Sequence, residues 1–201
     1  MSEENVTVEE VENTTEPEIP APHIAQAEDL NKQAREHLAN TEWEAALELY
    51  GQVLALMKEA GDKTGEAEAL NNTASVYLAR KEWEQALEVL EPARMLLLEA
   101  RDREGEATTL NNIASAYNGL GNWAQAVETY EEALAIREAQ EDAEGQAKTV
   151  RNLAIIYAQH GNRQKAKSYL NKALVLAKKA KSRELVNMMR QTLSQLPRFR
   201  R

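Results

Sequence analysis

The sequence predicts an all-helical solenoid, and three observations carry that prediction. The chain repeats itself at a fixed period of forty residues. Within each unit apolar residues recur at i, i+3, i+4 and i+7, the spacing of one helix face. The composition agrees: 43% of the 201 residues are hydrophobic but only 5% are aromatic. Ala, Leu, Glu, Gln and Lys abound, and the β-branched and aromatic runs that strands use are few.

Taken from the start, residues 1–23 hold Pro17, Pro20 and Pro22 and no sustained apolar period. Such a segment buries too little surface to offset chain entropy, which predicts a disordered acidic arm. The repeats follow. Trp43, Trp83 and Trp123 are forty apart, as are Leu30, Leu70, Leu110 and Val150. Ala34, Ala74, Ala114 and Ala154 keep the same spacing, and so do Ala46, Ala86, Ala126 and Ala166. Four units are expected at about 24–61, 62–101, 102–141 and 142–181, each a helix hairpin.

The third unit is the clearest. Leu110, Ile113, Ala114 and Tyr117 form one apolar stripe, Gly121 and Asn122 break the chain, and Trp123, Ala126, Val127, Tyr130, Ala133 and Leu134 form the next. Asp62, Asp102 and Asp142 stand just before each new first helix, where a carboxylate accepts bonds from free backbone N–H groups. Gly121 and Gly161 supply the left-handed residue that ends a helix. Thr41 and Lys81 occupy that place in units one and two, which predicts strained or differently shaped turns. Residues 182–196 are expected to form a capping helix: Ser182 caps it, Leu185, Val186, Met189, Leu193 and Leu196 give its stripe, and Pro197 stops it. A basic tail, 197–201, completes the expected nine-helix chain.

Several kinds of chemistry are excluded or disfavoured. With no cysteine there are no disulfides, thiolate metal sites or thiol nucleophiles. No signal-peptide pattern and no apolar run of about 18 residues occurs, so a soluble cytoplasmic protein without a transmembrane segment is expected. No phosphate-loop, dinucleotide, zinc-protease, nucleophile-elbow or EF-hand pattern is present, and His23, His37 and His160 are scattered. The reading is therefore no enzyme, no cofactor and no metal. The net charge of −9 divides unevenly: residues 1–29 hold nine acids and no Lys or Arg, whereas residues 161–201 hold twelve Lys and Arg against Glu184 alone. A uniformly basic nucleic-acid binder does not look like this.

Leu110, Ile113, Ala114, Tyr117, Ala126, Tyr130 and Ala133 together resemble the tetratricopeptide repeat (TPR) family. Its units pair a large residue, a small one and a Tyr on the first helix with Ala, an aromatic and Ala on the second. The match is looser elsewhere, with His37 at the Tyr position of unit one and Leu90 and Leu170 at the second-helix aromatic. The forty-residue period, longer than the usual 34, together with Leu70-Asn71-Asn72, Leu110-Asn111-Asn112 and the Gly65-Glu66 and Gly105-Glu106 pairs, is similar to the extended repeats of kinesin light chain, of spindle-orientation adaptors and of many bacterial proteins. The resemblance implies a right-handed α-α superhelix of four hairpins plus a cap, its first helices lining a concave groove.

Function is then expected on the polar positions of those first helices. Asn72, Asn112 and Asn152 recur there with Lys32 in unit one, although Asn is a mediocre helix former. An amide both donates and accepts, which suits an extended peptide backbone, and the resemblance to kinesin light chain implies such a clamp; bonds between neighbouring helices are the alternative. Ser75 and Ser115 lie on the same faces. Lys32, Arg35, Lys148 and Arg151 stand at the two ends of this ladder and favour a ligand with acidic residues. The sequence thus predicts a scaffold or adaptor binding an extended, acidic segment of another protein. Binding of RNA or an anionic surface through the basic C-terminal end, and self-association of acidic and basic ends, are the competing readings.

Overall fold

The computed structural model describes residues 21–196. Among them are nine helices and no strand: α1 (Ala21–Ala39), α2 (Trp43–Ala60), α3 (Lys63–Arg80), α4 (Trp83–Ala100), α5 (Arg103–Gly119), α6 (Trp123–Ala139), α7 (Ala143–Gln159), α8 (Arg163–Lys179) and α9 (Arg183–Gln195). The first helix begins at Ala21, ahead of the position expected for it, and the remainder of the expected acidic arm and the tail 197–201 lie outside the described residues.

Capping sets the period. The Asp62, Asp102 and Asp142 carboxylates each accept from the backbone N–H three residues on, at 2.9, 2.9 and 2.8 Å, and Ser182 does the same for Leu185 at 3.3 Å. Each satisfies one of the N–H groups a helix start leaves free. At the turns Gly61, Gly121 and Gly161 have φ of 70, 79 and 76°, and Thr41, Lys81, Arg101, Glu141 and Lys181 adopt the same left-handed conformation at 55–62°. Thr41 and Lys81 therefore build the same turn as glycine, and the cost is backbone strain of about 1–2 kcal/mol each rather than a changed shape.

Each helix packs on its chain neighbours, and alternate helices touch as well, α3 on α5 and α7 on α9. Within hairpins, Ala34 meets Ala46 and Ala74 meets Ala86 in fully buried clusters, letting the backbones approach closely. The largest cluster runs without interruption from Ala114 on α5 to Met189 on α9. There α9 buries Leu185 and Met189, with Val186, Leu193 and Leu196 packed around them. The tryptophans divide. Trp83 lies against Gly119 so closely that a Cβ there would come within 2.3 Å of the indole, whereas Trp123 is 47% exposed and stacks on His160 at 5.1 Å. Trp123 does not fill a seam.

Among the described residues no pair of second helices contacts as α3 and α5 do. The closer packing of alternate helices thus lies on the side of the first helices, the side that the resemblance to extended TPR repeats expects to be concave.

Candidate functional site

Two rows of hydrogen bonds stitch the first helices together at a spacing of 41 residues. Asn72 on α3 donates to Asn31 on α1 at 3.2 Å, and Asn112 on α5 donates to Asn71 on α3 at 3.1 Å. Asn118 donates to Gln159 on α7 at 3.2 Å, and Arg151 on α7 donates to Thr192 on α9 at 3.1 Å. Beneath the ladder Asn71 is buried and donates to Ala67 O and to Thr109 Oγ1. Each of Asn72 and Asn112 thus uses an amide donor on the preceding helix while staying half-buried at the groove surface.

Asn152 breaks the series. It lies beside the Tyr130 hydroxyl, which Ser115 hydrogen-bonds at 2.7 Å; burial raises the pKa of that hydroxyl above the ordinary tyrosine value, while Ser115 and Asn152 oppose the shift. Asn111 Oδ1, the counterpart of the acceptor on Asn71, is left buried without a partner among the described residues. Ser75 and Ser115 both turn their hydroxyls onto their own helix, to Asn71 O and Asn111 O. At the far end Lys148 pairs with Glu144 at 2.8 Å, half-exposed. At the near end Lys32 and Arg35 are exposed. Of the expected residues the structure gathers Arg35 and Asn72 around one cleft of about 410 Å³ that crosses α1, α3 and α5. Lys148, Arg151 and Asn152 lie two helices away.

That cleft also holds Glu68, Asp102 and Glu104. Burial, then the charges of Asp62 and Asp102, push the Glu68 carboxyl above its usual pKa. The middle of the groove is therefore acidic, where sequence reasoning placed only amides and hydroxyls.

Arg137 is a second residue that reasoning missed. Only 8% exposed, it reaches from α6 beneath the start of α7. Nη1 donates to Gly145 O at 2.7 Å and Thr149 Oγ1 at 3.1 Å, Nη2 donates to Thr108 Oγ1 on α5 at 3.3 Å, and Nε lies 3.9 Å from Asp142. Burial lowers its pKa, and Asp142 and Glu104 oppose that shift. The signal was present: Met57, Leu97, Arg137 and Ala177 share one place in the period, so an arginine stands in an apolar column. No group of three or more His, Asp or Glu among the described residues is arranged to hold a metal ion, and no described helix is long and apolar enough to cross a membrane.

The tetratricopeptide repeat family model matches residues 30–95 and 105–179. The chain belongs to the TPR family. Its TPR fold is shared with a Podosopora anserina putative kinesin light chain of nearly identical TPR-like repeats, 21% identical, covering 87% of this chain and 86% of that one at a TM-score of 0.66. Aspartyl phosphate phosphatase F from Bacillus subtilis superposes at a TM-score of 0.75 with 18% identity, over 86% of this chain and 45% of that one. A Rap protein complexed with competence and sporulation factor gives 0.75 and 18%, over 86% and 52%. This TPR chain thus spans about half the length of the latter two proteins. No curated protein sequence matches it.

Proposed function

We propose that this TPR protein is a non-catalytic interaction module that holds an extended segment of another protein along its concave face. The observation that supports the reading best is the cleft of about 410 Å³ crossing three successive first helices, with Asn72 and Arg35 on its walls. A cleft that runs across helices, rather than along one, suits a chain laid over the repeat axis. A fold neighbour solved as a complex with competence and sporulation factor is consistent with a TPR surface that captures a ligand.

The ligand's acidic side chains belong at the two ends of the groove, over Lys32 and Arg35 and over Lys148 and Arg151. The middle, over Glu68 and Glu104, calls for a neutral or basic one. Each exposed pair contributes little alone, so affinity rests on the backbone clamp and on the number of contacts. A chain without cysteine suits a reducing cytoplasm, where we place it.

Selection of a displayed random peptide library on the full chain tests the reading. The peptides recovered are expected to lose about tenfold or more in affinity for an Asn72→Ala/Asn112→Ala/Asn152→Ala variant, as a peptide group loses its partners. Peptides indifferent to the triple variant would sink the proposal.

A further inference from the structure

We propose that the cleft between α3, α4 and α5 takes the guanidinium of an arginine carried by the bound segment, holding it as the chain's own Arg137 is held one repeat further on. The inference rests on the peptide-binding reading of the concave face and adds a specificity to it.

The argument starts from two glycines forty residues apart. A Cβ built on Gly105 would meet Leu97 Cδ2 at 2.5 Å, and one built on Gly145 would meet Arg137 Cδ at 2.7 Å. Leu97 and Arg137 therefore follow the same path to the same depth. Leu97 ends there; Arg137 continues with its Nε, Cζ and two Nη atoms. The space those atoms fill in the α6–α7 seam corresponds, in the α4–α5 seam, to the open cleft that Leu97 and Gly105 line.

The walls correspond as well. Arg137 is held by Gly145 O, Thr149 Oγ1, Thr108 Oγ1 and, at 3.9 Å, Asp142. One repeat earlier stand Gly105, Thr109, Glu68 and Asp102. Thr109 Oγ1 gives a bond to Gly105 O and receives one from Asn71, whose amide takes the place that Arg137 Nη1 takes on Thr149; Thr109 is fully buried behind the cleft, so the acceptors a ligand meets are Glu68, Asp102 and Glu104 on its wall. The main difference is that a carboxylate, Glu68, replaces the neutral Thr108. Neither Glu68, Asp102 nor Glu104 makes an ion pair among the described residues. The α4–α5 cleft thus gathers three carboxylates with Arg35 at its edge, and burial, with the charges of Asp62 and Asp102, raises the Glu68 pKa.

The α2–α3 seam provides the contrast. Its cleft is smaller, about 240 Å³, and Ala69 stands where Thr109 and Thr149 donate and accept. Of the three seams, one is filled by a guanidinium, one lacks the threonine, and one keeps the threonine beneath a cleft lined by carboxylates. A planar fork fits acceptors spread over carboxylates better than a point-like ammonium does, and Leu97 offers a floor for the methylene stem. Arg35 at the mouth favours a carboxylate beside the bound arginine.

The test titrates isotope-labelled full chain with N-acetyl-arginine amide and, separately, with its neutral isostere N-acetyl-citrulline amide, following backbone amide shifts. Saturable shifts at Gly105 and Thr109 with arginine and none with citrulline are expected. Glu68→Gln is expected to weaken binding about tenfold, and Leu97→Arg to abolish it by filling the cleft from within. Equal shifts with citrulline, stronger binding of N-acetyl-lysine amide, or arginine binding undiminished by Glu68→Gln would overturn the inference, whether or not Leu97→Arg folds. Library peptides that bind through the Asn ladder with equal affinity in Leu97→Arg would overturn it while leaving the groove reading intact. Arginine binding without any peptide binding would do the reverse.

Discussion

The α4–α5 and α6–α7 seams occupy the same place in successive repeats and are closed by opposite chemistry. Leu97 lies in a small apolar cluster with Ala67 and Ala93 and covers Gly105; Arg137 covers Gly145 and bonds to three acceptors around it. The repeat geometry fixes size, since a side chain about three carbons long requires glycine opposite. It does not fix polarity. Either type is accepted provided every donor it brings finds an acceptor, and in the α6–α7 seam two threonines and a carbonyl supply them.

The sharpest way to break that comparison is to move the arginine. Met57→Arg is expected to cost about 2 kcal/mol, because Ala69 offers no hydroxyl and only Gly65 O and the carboxylates of Glu28 and Asp62 remain as acceptors. Leu97→Arg, with Thr109, Gly105 O and Glu68 at hand, is expected to cost about 1 kcal/mol or less. Urea unfolding of both variants measures the difference; equal losses would show that the acceptors are irrelevant. In the other direction, Arg137→Ala is expected to lose about 2–4 kcal/mol by leaving a cavity, whereas Arg137→Leu should stay within about 1 kcal/mol of the parent. If Arg137→Leu lost as much as Arg137→Ala, the seam would depend on charge rather than on filling.

A smaller effect concerns what both seams share. Asp102→Ala and Asp142→Ala each remove a cap bond to the glycine N–H and are expected to lower stability by about 1 kcal/mol. The loss should be somewhat larger for Asp142, which also faces Arg137. The smallest effect is Glu68→Gln. Burial and its acidic neighbours raise the Glu68 pKa in the folded chain, so the folded state holds this proton more tightly than the unfolded one. Stability is then lost as pH rises from the ordinary carboxylate value of 4.5 through the raised one. Glu68→Gln should raise the melting temperature slightly at pH 7 and leave it unchanged near pH 4, and a melting series across that range checks the sign.

How much of this was legible depends on whether the determinant is periodic. The hairpins, the Asp caps and the Ala pairs recur at the same offsets, so the sequence displays them directly. The turns at Thr41 and Lys81 show the limit of a rule based on residue type: neighbouring helices impose the left-handed conformation where no glycine supplies it. The groove was harder to read, because its contacts join residues 41 apart rather than forty. That offset explains the Asn-Asn doublets at 71–72 and 111–112: the second Asn of each pair donates to the preceding first helix, and Asn71, first of its pair, accepts from Asn112 on the next. Assigning Asn72 and Asn112 to a ladder, with bonds between neighbouring helices as the alternative role, was within reach; which residues they would meet, Asn31 and Asn71, was not, since an isolated repeat has no neighbour. Arg137 was missed for a different reason. A single charge in an apolar column reads as surface until Thr108 and Thr149, drawn from two other helices, are seen around it.

The fourth seam inverts the size relation, with small Ala177 at the place of Arg137 and bulky Leu185 at the place of Gly145 in one buried cluster. The piece of this chain that could be exchanged intact is therefore not a hairpin. Cutting in the turns at Gly61, Arg101 or Glu141 would part a side chain from the glycine that accommodates it, and grafting a unit after the fourth hairpin would set Ala177 against glycine and leave a hole. Cutting within hairpins, at Lys81, Gly121 or Gly161, would keep each of these side chains with the glycine it covers, and would part the alanine pairs together with local bonds such as Ser115 to Tyr130 and Arg137 to Thr108. For gene fusion, duplication or consensus engineering, the natural module starts with a second helix and ends with the first helix that follows it.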